Sequence, residues 1–194
     1  MALSPEKTAQ LVALLHEMGD EVPDEVREAL KGTKAGEALT IIILTDLTFP
    51  VPPKVFDPWC GASITNPFEL IPISTERDKV LMFERHDHVV DGWHFPGTVI
   101  IPGDTIANAQ QRLLTKEVKA GVSTPEFVAV VEFSAEEHRR GQEISLLHAC
   151  WVDEDTYTGD GRFFPINDLP SDTYSTHLKL LETVRKRMSL LNHV

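Results

Sequence analysis

The chain lacks several things that would have narrowed its role at once. No apolar run approaches the length of a membrane span; the longest, residues 39–44, suits a buried strand. Only two cysteines occur, Cys60 and Cys150, far apart and matching no metal-ligand spacing, so a reducing, cytoplasmic setting is expected. A basic surplus is also missing. With 18 Lys and Arg against 30 Asp and Glu, the net charge of −12 disfavours a nucleic acid polymer or an anionic membrane as partner. The first residues, MALSPEKTAQ, have no basic stretch followed by an apolar one, and no secretory leader is expected. Internal repeats are absent too.

What remains is an ordinary globular composition, 42% hydrophobic and 25% charged over 194 residues. That length supports one good core and an appendage. The acidic balance leaves small phosphate-bearing ligands open, because a few arginines or a divalent metal can hold a diphosphate.

Residues 4–31 read as two short helices. Ser4 and Pro5 open the first, and Leu11, Leu14, Leu15 and Met18 stripe it. After the strand at 39–44, Pro50, Pro52, Pro53 and Pro58 imply an irregular, extended stretch. Regular structure resumes near Asn66-Pro67. Segments 68–74 and 79–84 form a hairpin about a turn at 75–78, and 86–92 is a polar loop. Segment 105–119 has helical periodicity, with Ile106, Ala109, Leu113 and Val118 on one face. Strands follow at 127–133 and 144–151, then an aromatic strand at 161–164. A C-terminal amphipathic helix carries Leu178, Leu181, Val184 and Met188.

One string stands out: GWHFPGTVIIPGDTIANAQQRLLTKEVKAGV, residues 92–122. It resembles the Nudix box, in which an aromatic-Pro-Gly-Gly lead-in opens a loop and a helix. Trp93-His94-Phe95-Pro96-Gly97 matches the lead-in, and Thr98 takes the place of the box's first glycine. Asp104 stands for the loop glutamate, Arg112 for the arginine and Glu117 for the last glutamate of the helix. The spacing holds without insertion. Leu113 and Lys116 replace two helix glutamates that in the family gather around magnesium. Positions 113, 116 and 117 fall within about one helical turn, so they are expected to converge on one patch.

The reduced form, Arg112-Leu113-Leu114-Thr115-Lys116-Glu117, is similar to that of GDP-mannose mannosyl hydrolases. There the metal is held by the surviving glutamate, a carbonyl of the Pro-Gly-Gly turn and a later glutamine beside a catalytic histidine. The resemblance therefore implies a metal site at Glu117 and the carbonyl of Gly97 or Thr98. Where the glutamine and histidine belong, residues 156–160 offer neither; Asp155 or Asp160 is the substitute.

Several further residues invite a role. Arg85 ends the second hairpin strand, where Nudix enzymes place a basic residue toward the substrate diphosphate, and a guanidinium can grip phosphate in two-pronged fashion. A surface arginine is the other reading. His86, His88 and His94 crowd the loop before the box. His138-Arg139-Arg140 is a compact basic spot that either contacts phosphate or is solvated. Lys116 repels a divalent cation yet can bind phosphate. Arg112 either orients the loop or is a plain surface residue, and Asp104 reads as an N-terminal helix cap. Glu143 and His148, five apart on one strand, point to opposite faces. Trp93 and Trp151 suit the core, with stacking on a base or sugar as the alternative.

The expected fold is α+β, an α/β/α sandwich of the Nudix type in which a mixed sheet lies between helices. Residues 1–65 form a helical, proline-rich extension and 66–194 the domain. The implied activity is Mg2+- or Mn2+-dependent hydrolysis of a nucleoside diphosphate linked to another moiety, such as a nucleotide sugar. Glu117, Asp104 and Arg112 are the catalytic candidates; Arg85, His88, Arg139, Arg140 and Lys116 are the substrate contacts. A catalytically impaired nucleotide-binding or regulatory module is the alternative, and a homodimer is the expected assembly.

Overall fold

The computed structural model describes residues 53–191, His88 and Ala120 excepted. The helices expected within 4–31 and the strand at 39–44 lie outside the described residues.

The first described element corrects an expectation. Pro53–Ala62 is a helix, α1, not an extended stretch. Pro53 stands at its first position, where a missing N–H is harmless, and Pro58 removes one interior bond without breaking so short an element. The Arg140 Nε–Asp57 Oδ1 ion pair, 2.9 Å, holds α1 to the segment before the sixth strand.

Seven strands follow: β1 Pro67–Ser74, β2 Lys79–His86, β3 Asp91–His94, β4 Gly97–Val99, β5 Glu126–Phe133, β6 Glu143–Val152 and β7 Arg162–Pro165. They order as β3-β2-β1-β6-β5, with β4 on β1 and β7 on β2. Only β1 and β6 run parallel; the other pairs are antiparallel. The expected hairpin is present, with Ile73 opposite Val80. The polar loop at 86–92 is tighter than expected, because His86 already pairs with Asp91 across β2 and β3.

Two helices cover the sheet. α2 runs Ile106–Leu113 and α3 Ser175–Leu191. On one face Leu180, Leu181 and Val184 of α3 meet Ile71, Ile73, Val80, Met82 and Leu147. On the other, Ala109, Leu113 and Val118 meet Phe68, Leu70, Leu81, Cys150 and Val152. With both faces covered, every residue of β1 is buried. The layering is the α/β/α sandwich of a mixed sheet between helices. Both cysteines are free and buried, and no helix among the described residues is long and apolar enough to cross a membrane.

Both helices depart from their expected stripes. In α3, Leu178 is 47% exposed, and the buried row is His177, Leu180, Leu181 and Val184, the i, i+3, i+4, i+7 pattern. The side chain of Met188 lies outside the described set. In the segment 105–119 the α-helix stops at Leu113 and continues as a π-helical turn, Leu114–Val118, closed by Lys119 at φ 52°. Ile106, in the first turn, is 49% exposed and off the sheet.

Candidate active site

Strand β4, the loop after it and the end of α2 are joined through one arginine. Arg112 Nη1 bonds Asp104 at 2.7 Å, its Nη2 donates to the Val99 carbonyl at 2.9 Å, and Nε and Nη2 both reach Thr98 Oγ1 at 3.4 Å. Arg112 is thus bonded to the loop's backbone, hydroxyl and carboxylate groups. Asp104 is not the helix cap. Thr105 is, its hydroxyl accepting from the Asn108 N–H at 3.1 Å. The helix begins one residue later than the cap reading required, and the Asp104 carboxylate is turned to the guanidinium. Thr98 likewise has its hydroxyl occupied by Arg112.

The π turn decides where Glu117 goes. An uninterrupted α-helix would carry position 117 onto the buried face after Ala109 and Leu113. One extra residue in the turn hands that place to Val118 instead, leaving Glu117 half-buried. Leu113 is in the core at 1% exposure and Lys116 is exposed, so the three positions do not share a patch as expected. Among the described residues Glu117 has no hydrogen-bond partner. Burial pushes its carboxyl up to about 7, against the opposing influence of Arg85.

Beside this sits a carboxylate that sequence reading missed. Glu69 lies in β1 opposite Gly97, 8% exposed, and its Oε2 has no partner. Burial, then the charges of Glu143 and Glu117, raise its carboxyl well above the usual range. The signal was one charged residue inside the apolar run 68–74. A second missed group is His177 of α3, whose Nδ1 accepts from the Phe95 N–H at 2.7 Å. Its ring stacks near-parallel on Phe95 and edge-on to His94.

The model of the NUDIX domain matches residues 69–184. The chain belongs to the Nudix family. Among solved structures, the fold is similar to the NUDIX domain of Shewanella oneidensis NrtR complexed with ADP ribose, at 18% identity and TM-score 0.55, covering 76% of this chain and 97% of that one. It is similar to Shewanella oneidensis NrtR complexed with a 27mer DNA at 19% identity and TM-score 0.53, over 66% of this chain and 62% of that one. It also resembles the C. elegans Ap4A hydrolase at 12% identity and TM-score 0.51, over 66% and 99%. At these identities the likeness is one of fold. No curated protein matches the chain by sequence.

Within the Nudix domain the remaining candidates separate. Arg85 is paired with Asp87 through both Nε and Nη2, and its charge is felt by Glu117, His94 and His177. Asp87 in turn accepts from the Val89 and Val90 N–H groups; although burial opposes it, these bonds and Arg85 lower its carboxyl to about 2. His94 is lowered chiefly by burial, and its Nδ1 lies 2.7 Å from the Phe95 carbonyl. His86 is exposed between Asp91, 2.7 Å, and Glu84, 3.2 Å. His88 lies outside the described residues.

The basic spot divides. Arg140 is committed to Asp57 and lies over the Phe56 ring. His138 is buried 3.3 Å from Glu143, whose other oxygen takes the Ser145 hydroxyl at 2.6 Å. Arg139 reaches the Val89 carbonyl and lines a cleft of about 460 Å³ with Asp91, Asp172 and Tyr174. His148 stacks on Phe68 at 4.2 Å, away from Glu143. Asp160 pairs with Lys119 at 2.8 Å on the surface, and Asp155 donates its N–H to Asp153. Trp93 packs edge-on against Phe164, and Trp151 packs on the core beneath Arg77.

Among the described residues no three His, Cys, Asp or Glu gather as a metal site. What the domain offers is hard oxygen: the Glu117 carboxylate, the Gly97 backbone and a buried Glu69 oxygen without a partner. Such donors fit Mg2+ or Mn2+, not a soft transition metal.

Proposed function

We propose that this Nudix domain hydrolyses a nucleoside diphosphate linked to a second moiety, with a divalent cation held at Glu117 and the Gly97 carbonyl. The observation that carries this reading is the placement of Glu117. The π turn lifts it off the buried face, leaves it without a hydrogen-bond partner among the described residues, and sets it within reach of the charge of Arg85. A carboxylate kept half-buried without a bond is poorly explained by packing, since desolvation costs it free energy that a cation would offset.

Arg85 is the group for the diphosphate, screened in the free protein by Asp87. Mg2+ or Mn2+ held there would supply electrophilic help and lower the pKa of a coordinated water. Arg112 and Asp104 act by holding the 98–104 loop in place and touch no substrate. The reduced box, similar to that of the GDP-mannose mannosyl hydrolase type, supports a nucleotide sugar as substrate. The net charge of −12 supports a small ligand over a polymer.

A second reading has its own support. With Leu113 in the core and no three-residue metal cluster among the described residues, the domain can bind a nucleotide derivative without cleaving it. The NUDIX domain of NrtR, which it resembles in fold, was solved with ADP ribose.

One screen separates the two. Nucleotide sugars, dinucleotides and ADP-ribose are incubated with Mg2+ or Mn2+, with sugar and phosphate release followed beside the Glu117→Gln variant. Hydrolysis predicts metal-dependent turnover that falls at least about 100-fold in the variant, as for loss of a group that stabilises the transition state. A nucleotide that raises the melting temperature without turnover identifies the binding module. Turnover untouched by Glu117→Gln removes Glu117 from the site.

A further inference from the structure

We propose that Glu69 of β1 replaces the carboxylates missing from the helix, forming the divalent-cation site with Glu117 and the Gly97 carbonyl. The proposal rests on the hydrolase reading and assigns a ligand from a different element of the fold.

Three observations carry it. First, position: β1 and β4 place Glu69 opposite Gly97, and a Cβ on Gly97 would overlap both carboxylate oxygens of Glu69. Gly97 is absent from the residues with positive φ, so its glycine serves space and not backbone freedom. The space is filled by the Glu69 carboxylate, which therefore lies against the turn whose carbonyl the metal site uses.

Second, partners. Glu69 is 8% exposed and its Oε2 has no hydrogen bond. A buried acid serving structure is expected to be bonded at both oxygens. The neighbouring Glu143 shows that pattern, with one oxygen on Ser145 and the other facing His138. Glu69 has no such arrangement, and the charges acting on it are those of Glu143 and Glu117. A buried carboxylate oxygen without a partner, set against Gly97, with neither Glu69 nor Glu117 hydrogen-bonded to a cationic side chain among the described residues, is placed as a ligand is before a cation enters.

Third, geometry of supply. Leu113 is fixed in the core and Lys116 is exposed, so α2 and its π turn present Glu117 as their one carboxylate. A second oxygen donor has to come from another element, and β1 passes directly beside the turn.

The test is Mn2+ binding by the full chain, read as the loss of the free-ion electron paramagnetic resonance signal and as the Mn2+-induced rise in melting temperature. Native protein, Glu69→Gln and Glu117→Gln are compared. Both variants should bind Mn2+ more than about tenfold more weakly, because losing a direct ligand exceeds the effect of losing an outer partner. Glu69→Gln should also melt no lower than native protein without metal, since it replaces a desolvated, partnerless carboxyl with a neutral group of the same shape. Native-like Mn2+ affinity in Glu69→Gln, with Glu117→Gln weakened, overturns the proposal and leaves the hydrolase reading standing. Absence of Mn2+ binding in native protein overturns both. Should Glu69→Gln fail to fold, Glu69→Asp against Glu69→Asn supplies the same contrast: Asp must bind Mn2+ more tightly than Asn, and equality of the two sinks the assignment.

Discussion

The backbone N–H of Phe95 donates to Nδ1 of His177 across 2.7 Å, tying the lead-in of the box to the first turn of α3. An imidazolium could not accept that bond, because Nδ1 would itself carry a proton. Burial, then the charges of His94, His138 and Arg85, lower the His177 ring to about 3. The folded protein thus binds fewer protons than the unfolded chain between about pH 6.5 and 3. The contribution of His177 is fully present above pH 6.5 and is lost as pH falls through that window. Urea midpoints taken from pH 7 to pH 4 should fall, with His177 accounting for on the order of 3 kcal/mol. His177→Asn, which keeps an acceptor but does not titrate, should flatten this limb; an unchanged slope would show that His177 is not its source.

Arg112 organises more of the loop than its neighbours do. Arg112→Ala strands the partly buried Asp104 carboxylate and frees the Val99 carbonyl, and should lower stability by about 2 kcal/mol. Arg112→Lys restores one contact at most, because an ammonium lacks the fork that spans three acceptors. By contrast Thr105→Ala removes only a cap, at about 1 kcal/mol. Denaturant titration of the three variants checks the order.

Restoring the family's glutamates should succeed at one position and fail at the other. Lys116 is exposed, and Lys116→Glu should change stability by less than about 0.5 kcal/mol. Leu113 packs at 1% exposure among Leu70, Ala109 and Val118, and Leu113→Glu should cost more than about 3 kcal/mol. Equal thermal shifts for the two variants would contradict the placement of the π turn.

Gly97→Ala drives a methyl into the Glu69 carboxylate and should destabilise by about 1–3 kcal/mol. Combined with Glu69→Ala, which vacates that volume, the penalty should shrink below the sum of the single effects. A double-mutant cycle in urea reads the coupling; strict additivity would mean the two residues do not meet.

Much of this was legible in the residues alone because it is local. Apolar runs between turns and 3.6-residue patterns located β1, β2, β5, β6, α2 and α3, and an uninterrupted spacing from Phe95 to Glu117 carried the family. Local rules failed where a local choice had competitors. Pro53 and Pro58 read as breakers, yet a ten-residue helix absorbs them. Asp104 and Thr105 are both good caps, and only the position of Arg112 decides between them.

The box therefore determined by itself that a loop and helix of this kind form and that Glu117 is the helix's surviving carboxylate. Which way Glu117 faces was settled by the π turn, whose extra residue follows from Val118 filling the core beside Leu113. That Glu69 lies against Gly97 depends on the pairing of β1 with β4, and the partnering of Phe95 with His177 joins residues 82 apart. Such contacts are set by sheet register and helix packing, and no periodicity along the chain encodes them.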